Sequence, residues 1–278
     1  MLYIISLVIS VFFSVMLKTM FKKMLIERGC LTTNYLGDEI PVGMGLMFIP
    51  VMVSGTIPLL FVTDNTKILL AYIIGAAVMG FSGFIDDMMG DGSVKGLKGH
   101  IGKLMNGELT TGGFKALSGL LMALFISSCI RVTNINLSAV FSVLEFLMNV
   151  LIITLSTNFL NLLDLRPGRS IKGFLSVIIL TFLFARLRSP AMAVVFPLLC
   201  AVLVYMGDDL KARSMLGDTG SNILGISAGA FVALFGSWYF KIVCSLFLVA
   251  IHIYTERYSL TRLIEENSLL KFLDDLGR

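Results

Sequence analysis

Long stretches of this chain carry no charge: residues 2–17, 40–63, 68–85, 146–163, 189–207 and 219–240 contain no Asp, Glu, Lys or Arg. Several reach the roughly 20 residues needed to cross the hydrocarbon core of a bilayer. Lipid cannot satisfy exposed backbone N–H and C=O groups, so such runs must close their hydrogen bonds internally, as helices. They lack the alternation of apolar and polar residues that marks a membrane barrel. Charged residues are 14% of the 278 and hydrophobic ones 56%, with mean hydropathy +0.91. Soluble domains carry about 25% charged residues, so a water-soluble fold is excluded. The expected fold is all-α, a polytopic transmembrane bundle of about nine or ten helices. It forms a single domain over residues 1–278 and closes on an amphipathic C-terminal helix.

The runs place helices near 2–21, 43–63, 67–86, 114–131, 138–163, 171–186, 189–206, 220–237 and 238–256. The first run is followed, not preceded, by Lys18, Lys22 and Lys23, the reverse of a secretory signal, and is read as the first helix. With the N-terminus outside, only Lys67, Arg131, Arg186, Arg188 and Lys241 of the 22 Lys and Arg residues fall outside. That asymmetry fits the positive-inside rule and predicts a multi-pass protein of the cytoplasmic membrane, with Trp238 and Tyr239 in an interfacial belt. The net charge of +4 therefore reports sidedness and gives no reason to expect nucleic acid. Ala76 with Gly80, and Gly225 with Gly229, have the spacing of four that lets helices approach closely in lipid. The four cysteines are scattered without CxxC spacing and read as packing residues. From Ser259 onward, Leu260, Leu263, Ile264, Leu269, Leu270, Phe272 and Leu273 sit among charges. That pattern suits a helix on a membrane surface or one packed on the end of the bundle.

In this topology four polar clusters fall at one face. They are Asp86-Asp87, Asn158-x-x-Asn161-x-x-Asp164, Gly207-Asp208-Asp209 and Gly217-Asp218-Thr219-Gly220-Ser221. Carboxylates beside lipid are costly and need a cation, a proton path or a partner charge. Asn158, Asn161 and Asp164 drift over roughly 120° of one helix face and can line a cleft. Residues 217–221 place a carboxylate and flexible backbone before an apolar helix, where free N–H groups attract phosphate. Asp218 there can hold a cation against that phosphate, with Lys95, Arg166, Arg169 and Arg213 as counter-charges for a diphosphate. All-oxygen ligands favour Mg²⁺ or Mn²⁺ over zinc. Gly102-Lys103 is followed by Leu104 and lacks the earlier glycine of a P-loop. His100 and His252 are too few for a metal cluster. Glu145, four residues before Asn149, reads either as structural glue or as part of a pathway.

These clusters, in this order, resemble the polyprenyl-phosphate N-acetylhexosamine-1-phosphate transferases. That superfamily includes phospho-N-acetylmuramoyl-pentapeptide transferase and UDP-N-acetylglucosamine–undecaprenyl-phosphate transferase. The resemblance is carried by Gly83-Phe84-Ile85-Asp86-Asp87 with Lys95 downstream, by Asn158-x-x-Asn161-x-x-Asp164, and by Arg213-x-x-x-Gly217-Asp218-Thr219-Gly220-Ser221. Pro41-Val42-Gly43-Met44-Gly45 looks like the superfamily's Pro-x-x-Gly-Gly element. The resemblance implies transfer of a sugar 1-phosphate from a UDP-sugar to a polyprenyl phosphate, with release of UMP at the cytoplasmic membrane face and a homodimeric assembly. It also implies metal ligation by Asp218 and Asn161, and a catalytic pair in Asp86 and Asp87 with Asp164 beside them. Asn158, Gly217, Gly220 and Ser221 fall at substrate-binding positions.

Two departures stand out. Asp164-Leu165-Arg166-Pro167-Gly168-Arg169 puts Pro167 where the superfamily has a second aspartate, and a histidine-rich C-terminal loop is missing. Both positions serve nucleotide-sugar recognition in relatives, so the expected donor is unusual, with Arg166 and Arg169 supplying other phosphate contacts. Two rivals are a catalytically silent relative that binds lipid phosphate or nucleotide sugar, and a transporter working through Glu145.

Overall fold

The computed structural model describes residues 1–63, 65–90, 99, 102–103, 105–130, 139–185 and 190–277. Lys95 and His100 lie outside them. The chain opens with α1 (Leu2–Glu27). An antiparallel hairpin follows, β1 (Leu31–Thr33) and β2 (Glu39–Pro41), with Leu31 opposite Pro41. Next come a 3₁₀ turn (Met44–Met47), α2 (Phe48–Thr56) and a second 3₁₀ turn (Ile57–Phe61). The long helices α3 (Thr66–Met89), α4 (Thr111–Cys129) and α5 (Ala139–Leu163) come after them. Then α6 (Arg169–Leu183), a 3₁₀ turn (Pro190–Val195), α7 (Phe196–Leu210), α8 (Gly217–Phe235) and α9 (Trp238–Thr255) complete the bundle. Two short helices end the chain, α10 (Leu260–Glu266) and α11 (Ser268–Asp275).

Among the described residues, seven stretches are long and apolar enough to cross a membrane: Leu2–Glu27, Met44–Phe61, Thr66–Met89, Thr111–Cys129, Ala139–Leu163, Met192–Leu210 and Trp238–Thr255. The protein is a multi-pass, all-α membrane bundle. The apolar run expected as one helix over 43–63 is helical from Met44 to Phe61, tightening to 3₁₀ geometry over Met44–Met47 and again over Ile57–Phe61, where Pro58 sits. α8 begins three residues earlier than expected, so Asp218 sits inside its first turn.

α8 is the axis of the fold. It packs against α3, α4, α5 and α6, and every residue from Thr219 to Ala233 is buried. A helix enclosed by protein has no lipid to face, so Gly, Ala and Ser replace bulky apolar residues and let its neighbours close in. A Cβ on Gly225 would lie 2.4 Å from Thr157 Cα of α5, and one on Gly229 would lie 2.6 Å from Ile153 Cα. Across the other side, Tyr72 of α3 donates to Ser227 Oγ at 3.2 Å. α1 shows the opposite pattern. Ser6, Ser10 and Ser14, one per turn, are buried, and Ser6 Oγ bonds Gly55 O at 2.5 Å, while most of its large apolar side chains face outward. Near the start of α9, Lys241 pairs with Glu145 of α5 at 3.0 Å. That buried pair ties α9 to the bundle, so Glu145 is met by a lysine and not by Asn149.

The α5–α8 contact generates a prediction. Gly225→Ala must push the two backbones apart, at a cost of about 1–3 kcal/mol, whereas exposed Gly207 has nothing within 4 Å of an added Cβ. Thermal unfolding in detergent should show a lower midpoint for Gly225→Ala and an unchanged or higher one for Gly207→Ala. Equal midpoints would contradict the packing.

Candidate functional site at one end of the bundle

The polar residues at this end are set by helix boundaries. Asp86 and Asp87 occupy the last turn of α3, Lys115 the opening of α4, and Asn161 the last turn of α5, with Asp164 just beyond. Asp209 ends α7, and Asp218 lies in the first turn of α8.

The first-turn N–H groups of α8 have no intrahelical acceptor, and in a protein-enclosed helix they need one from the protein. Asp87 supplies it. Its Oδ1 accepts from Asp218 N at 2.8 Å, and its Oδ2 accepts from Thr219 N at 2.9 Å and Thr219 Oγ1 at 2.6 Å. A carboxylate at a helix N-terminus also meets the positive end of the helix dipole. Gly217 makes the contact possible. Its φ is +72°, and a Cβ there would lie 2.5 Å from Asp87 Oδ2. Residues 41–45 buttress the same turn, with Gly45 N bonding Leu216 O (3.2 Å) and Met215 N bonding Pro41 O (2.8 Å). Gly45 lies directly on Gly220, where a Cβ would stand 2.0 Å from Gly220 Cα.

Asp86 and Asp218 meet at a single positive charge. Lys115 Nζ bonds Asp86 Oδ2 at 2.6 Å and also bonds Asp218 Oδ2. The Asn161 amide completes the set in the orientation that satisfies both its ends. It donates to Asp218 Oδ1 (2.8 Å) and Ser221 Oγ (3.1 Å), and its oxygen accepts from Lys115 Nζ at 3.3 Å. Three oxygen acceptors from three helices thus converge on one ammonium.

That focus provides a test of fit for a divalent cation. Among the described residues no three His, Cys, Asp or Glu side chains stand in metal-holding geometry. Mg²⁺, however, commonly takes one or two carboxylates and completes its shell with water and substrate phosphate. Asp218, Asp86 and the Asn161 oxygen, already gathered around a cation, suit that demand, and the hard-oxygen set excludes a thiolate-type metal.

Asp164 lies beside this focus. Burial and then the nearby charges of Asp209, Asp218 and Asp87 hold its carboxyl well above the usual carboxylate range. Asp209 in turn accepts from Gly168 N at 2.7 Å and fixes the loop that carries Asp164.

The structure brings together Asp86, Asp87, Asn161, Asp164, Gly217, Asp218, Gly220 and Ser221. Four other expected residues are not bonded into this cluster. Asn158 is exposed, one turn back along α5 from Asn161. Arg169 is buried and bonded to Asp274 (2.7 Å through both Nε and Nη2) and to Thr261 (3.0 Å), so its guanidinium is committed to the C-terminal segment. Arg166 lies 3.7 Å from Glu265 and over the Tyr35 ring. Arg213 is exposed on the loop before α8. Sequence reasoning missed Lys115 and Thr219. Lys115 had a signal, a lysine in the opening turns of a span at the same face as the acidic clusters; Thr219 lay inside a motif already marked.

No protein-family model matches the chain, and no curated protein matches it significantly.

The crowding around Asp164 has a measurable sign. The fold favours its protonated form over that of an unfolded carboxyl near about 3.9. This contribution to stability is present at low pH and is lost as pH rises through the raised value. In divalent-free detergent at about pH 7.5, Asp164→Asn should melt higher than wild type by about 2–4 °C. The gap should close towards pH 4.5; an equal or lower midpoint at pH 7.5 would contradict the electrostatics.

Proposed function

We propose that the protein is a phosphoglycosyltransferase of the polyprenyl-phosphate N-acetylhexosamine-1-phosphate transferase kind, acting at the cytoplasmic face of the membrane. One observation carries the reading: Asp86 of α3, Asp218 of α8 and Asn161 of α5 converge on one cationic point at a buried helix N-terminus, at the end of a membrane bundle. The order of the motifs along the chain and the basic bias of that end support it.

In the reaction, a phosphate oxygen of polyprenyl phosphate attacks the sugar-bearing phosphorus of a UDP-sugar. The bond between that phosphorus and the bridging oxygen breaks, and UMP leaves with the bridging oxygen. Asp218 and Asn161 would hold Mg²⁺ or Mn²⁺, with Asp86 facing the same point. When bound, that ion offsets the charge of the diphosphate. Lys115, whose ammonium lies between the Asp86 and Asp218 carboxylates, would serve a substrate phosphate once a metal ion took its place there. Asp86, released from Lys115, takes up or orients the acceptor phosphate's proton. Asp87 is a positioning residue, because both its oxygens are bound to the first turn of α8. Asp164, held towards its protonated form, donates a hydrogen bond to phosphate. Apolar packing behind the site excludes water that would hydrolyse the donor.

A second reading, a silent relative that binds lipid phosphate, is favoured by Pro167 and by the Lys115 ammonium already bridging Asp86 and Asp218.

Purified protein given a panel of UDP-hexoses and UDP-N-acetylhexosamines should release UMP only with both undecaprenyl phosphate and Mg²⁺. Asp218→Asn should lower the rate about 10²–10³-fold. No release across the panel would overturn the transferase reading, and retained binding of undecaprenyl phosphate would then select the second one.

A further inference from the structure

The two short C-terminal helices dock on the bundle in opposite senses. α10 turns its apolar residues inward, so Leu260 and Ile264 are buried. α11 turns a charge inward. Its one buried residue is Asp274, gripped by Arg169 at 2.7 Å through both nitrogens, while Lys172 Nζ bonds the carbonyl oxygens of Leu273 (3.0 Å) and Asp274. Every large apolar side chain of this helix and its C-cap then faces away from the protein. Leu269 is 66% exposed, Phe272 63% and Leu276 57%, with Leu273 and Leu270 beside them. At about 100° per residue, Leu269, Phe272, Leu273 and Leu276 share one narrow face, and Asp274 lies well off it. Asn267 breaks the chain between α10 and α11 and caps the latter, its Oδ1 accepting from Leu269 N and Leu270 N at 3.1 Å.

We infer that α11 is an interfacial anchor whose apolar face is buried in the surface of the bilayer, with the Arg169–Asp274 pair as its tether. Two observations select lipid over a protein partner, and the charge of the segment says which lipid it can meet. Arg169 and Lys172 are in the first turn of α6, so the tether holds α11 at the end of the bundle where α5 ends and α6 begins. α9 ends at that level on the ring pair Tyr254–Tyr258, 5.1 Å apart, with Tyr258 exposed as interfacial aromatics are. Between residues 256 and 277, Arg257, Arg262 and Lys271 face Glu256, Glu265, Glu266, Asp274 and Asp275. With no excess of basic charge, the segment has no electrostatic call on anionic lipid, and apolar contact is what it offers. The inference does not rest on the transferase reading, since it concerns only where this face lies.

Trp238 is the one tryptophan of the chain, which permits a depth measurement on the full-length protein. Phe272→Trp in a Trp238→Phe background is reconstituted in phosphatidylcholine vesicles, with Lys271→Trp as the reporter on the opposite face and Leu269→Trp as a second probe of the apolar one. Lipid spin-labelled at chain position 5 should quench residues 272 and 269 at least about twofold more than residue 271, and iodide should do the reverse. Replacing a third of the lipid with phosphatidylglycerol should leave the pattern unchanged. Iodide quenching equal at residues 272 and 271 would overturn the inference by placing the face in water. Shielding of residue 272 from both quenchers would overturn it by showing a protein cover, a second copy included.

Discussion

The bond between the Asp87 carboxylate and the first turn of α8 is the constraint on which the rest of the site depends. A helix enclosed on all sides cannot leave its first N–H groups to water, and lipid offers no acceptor. α3 supplies one from its last turn, with three hydrogen bonds to Asp218 and Thr219. This fixes the rotation of α8 about its axis and the height of α3 beside it. Once both are fixed, Asp86, the preceding residue of α3, and Asp218, inside the capped turn, are delivered to the same point. The left-handed φ of Gly217 follows from the same contact, because a side chain there would displace the carboxylate that caps the helix.

A second consequence is electrostatic. Asp86, Asp87, Asp164, Asp209 and Asp218 gather at one end of an apolar bundle, and they tolerate their charge by three different means. Asp87 spends its charge on backbone and hydroxyl donors, and Asp209 on Gly168 N and the Tyr205 hydroxyl. Asp86 and Asp218 share Lys115, and Asp164 is pushed towards its neutral form. Adjacent aspartates in the sequence therefore do unlike work. One holds the architecture, while its neighbour meets the ammonium of Lys115.

Much of this was legible beforehand because a bilayer makes the coding coarse. Uncharged runs fix the helices, and the bias of Lys and Arg brings the motifs to one face. Gly225 and Gly229 announced a close crossing, and the structure supplies α5 as the partner. Other features depend on three-dimensional register that no local pattern encodes. Asp86 and Asp87 look alike as a pair, and only the rotation of α3 separates the cap from the cation-facing group. Lys115 is one lysine among many until α4 lays it between two carboxylates. Arg169 reads as a phosphate contact until Asp274, more than a hundred residues later, takes the Nε and Nη2 edge of its guanidinium. The every-fourth serines of α1 were likewise silent, since serine spacing does not say which neighbour a helix will meet.

Manganese binding followed by electron paramagnetic resonance tests the division of labour between the two aspartates most directly. Wild type should take up one Mn²⁺ per chain from free solution, and Asp218→Asn should abolish that uptake while the protein stays folded. Asp87→Asn should instead lower the thermal midpoint and retain uptake at temperatures where the protein is folded. Loss of Mn²⁺ in Asp87→Asn at unchanged thermal stability, together with normal uptake in Asp218→Asn, would contradict the account.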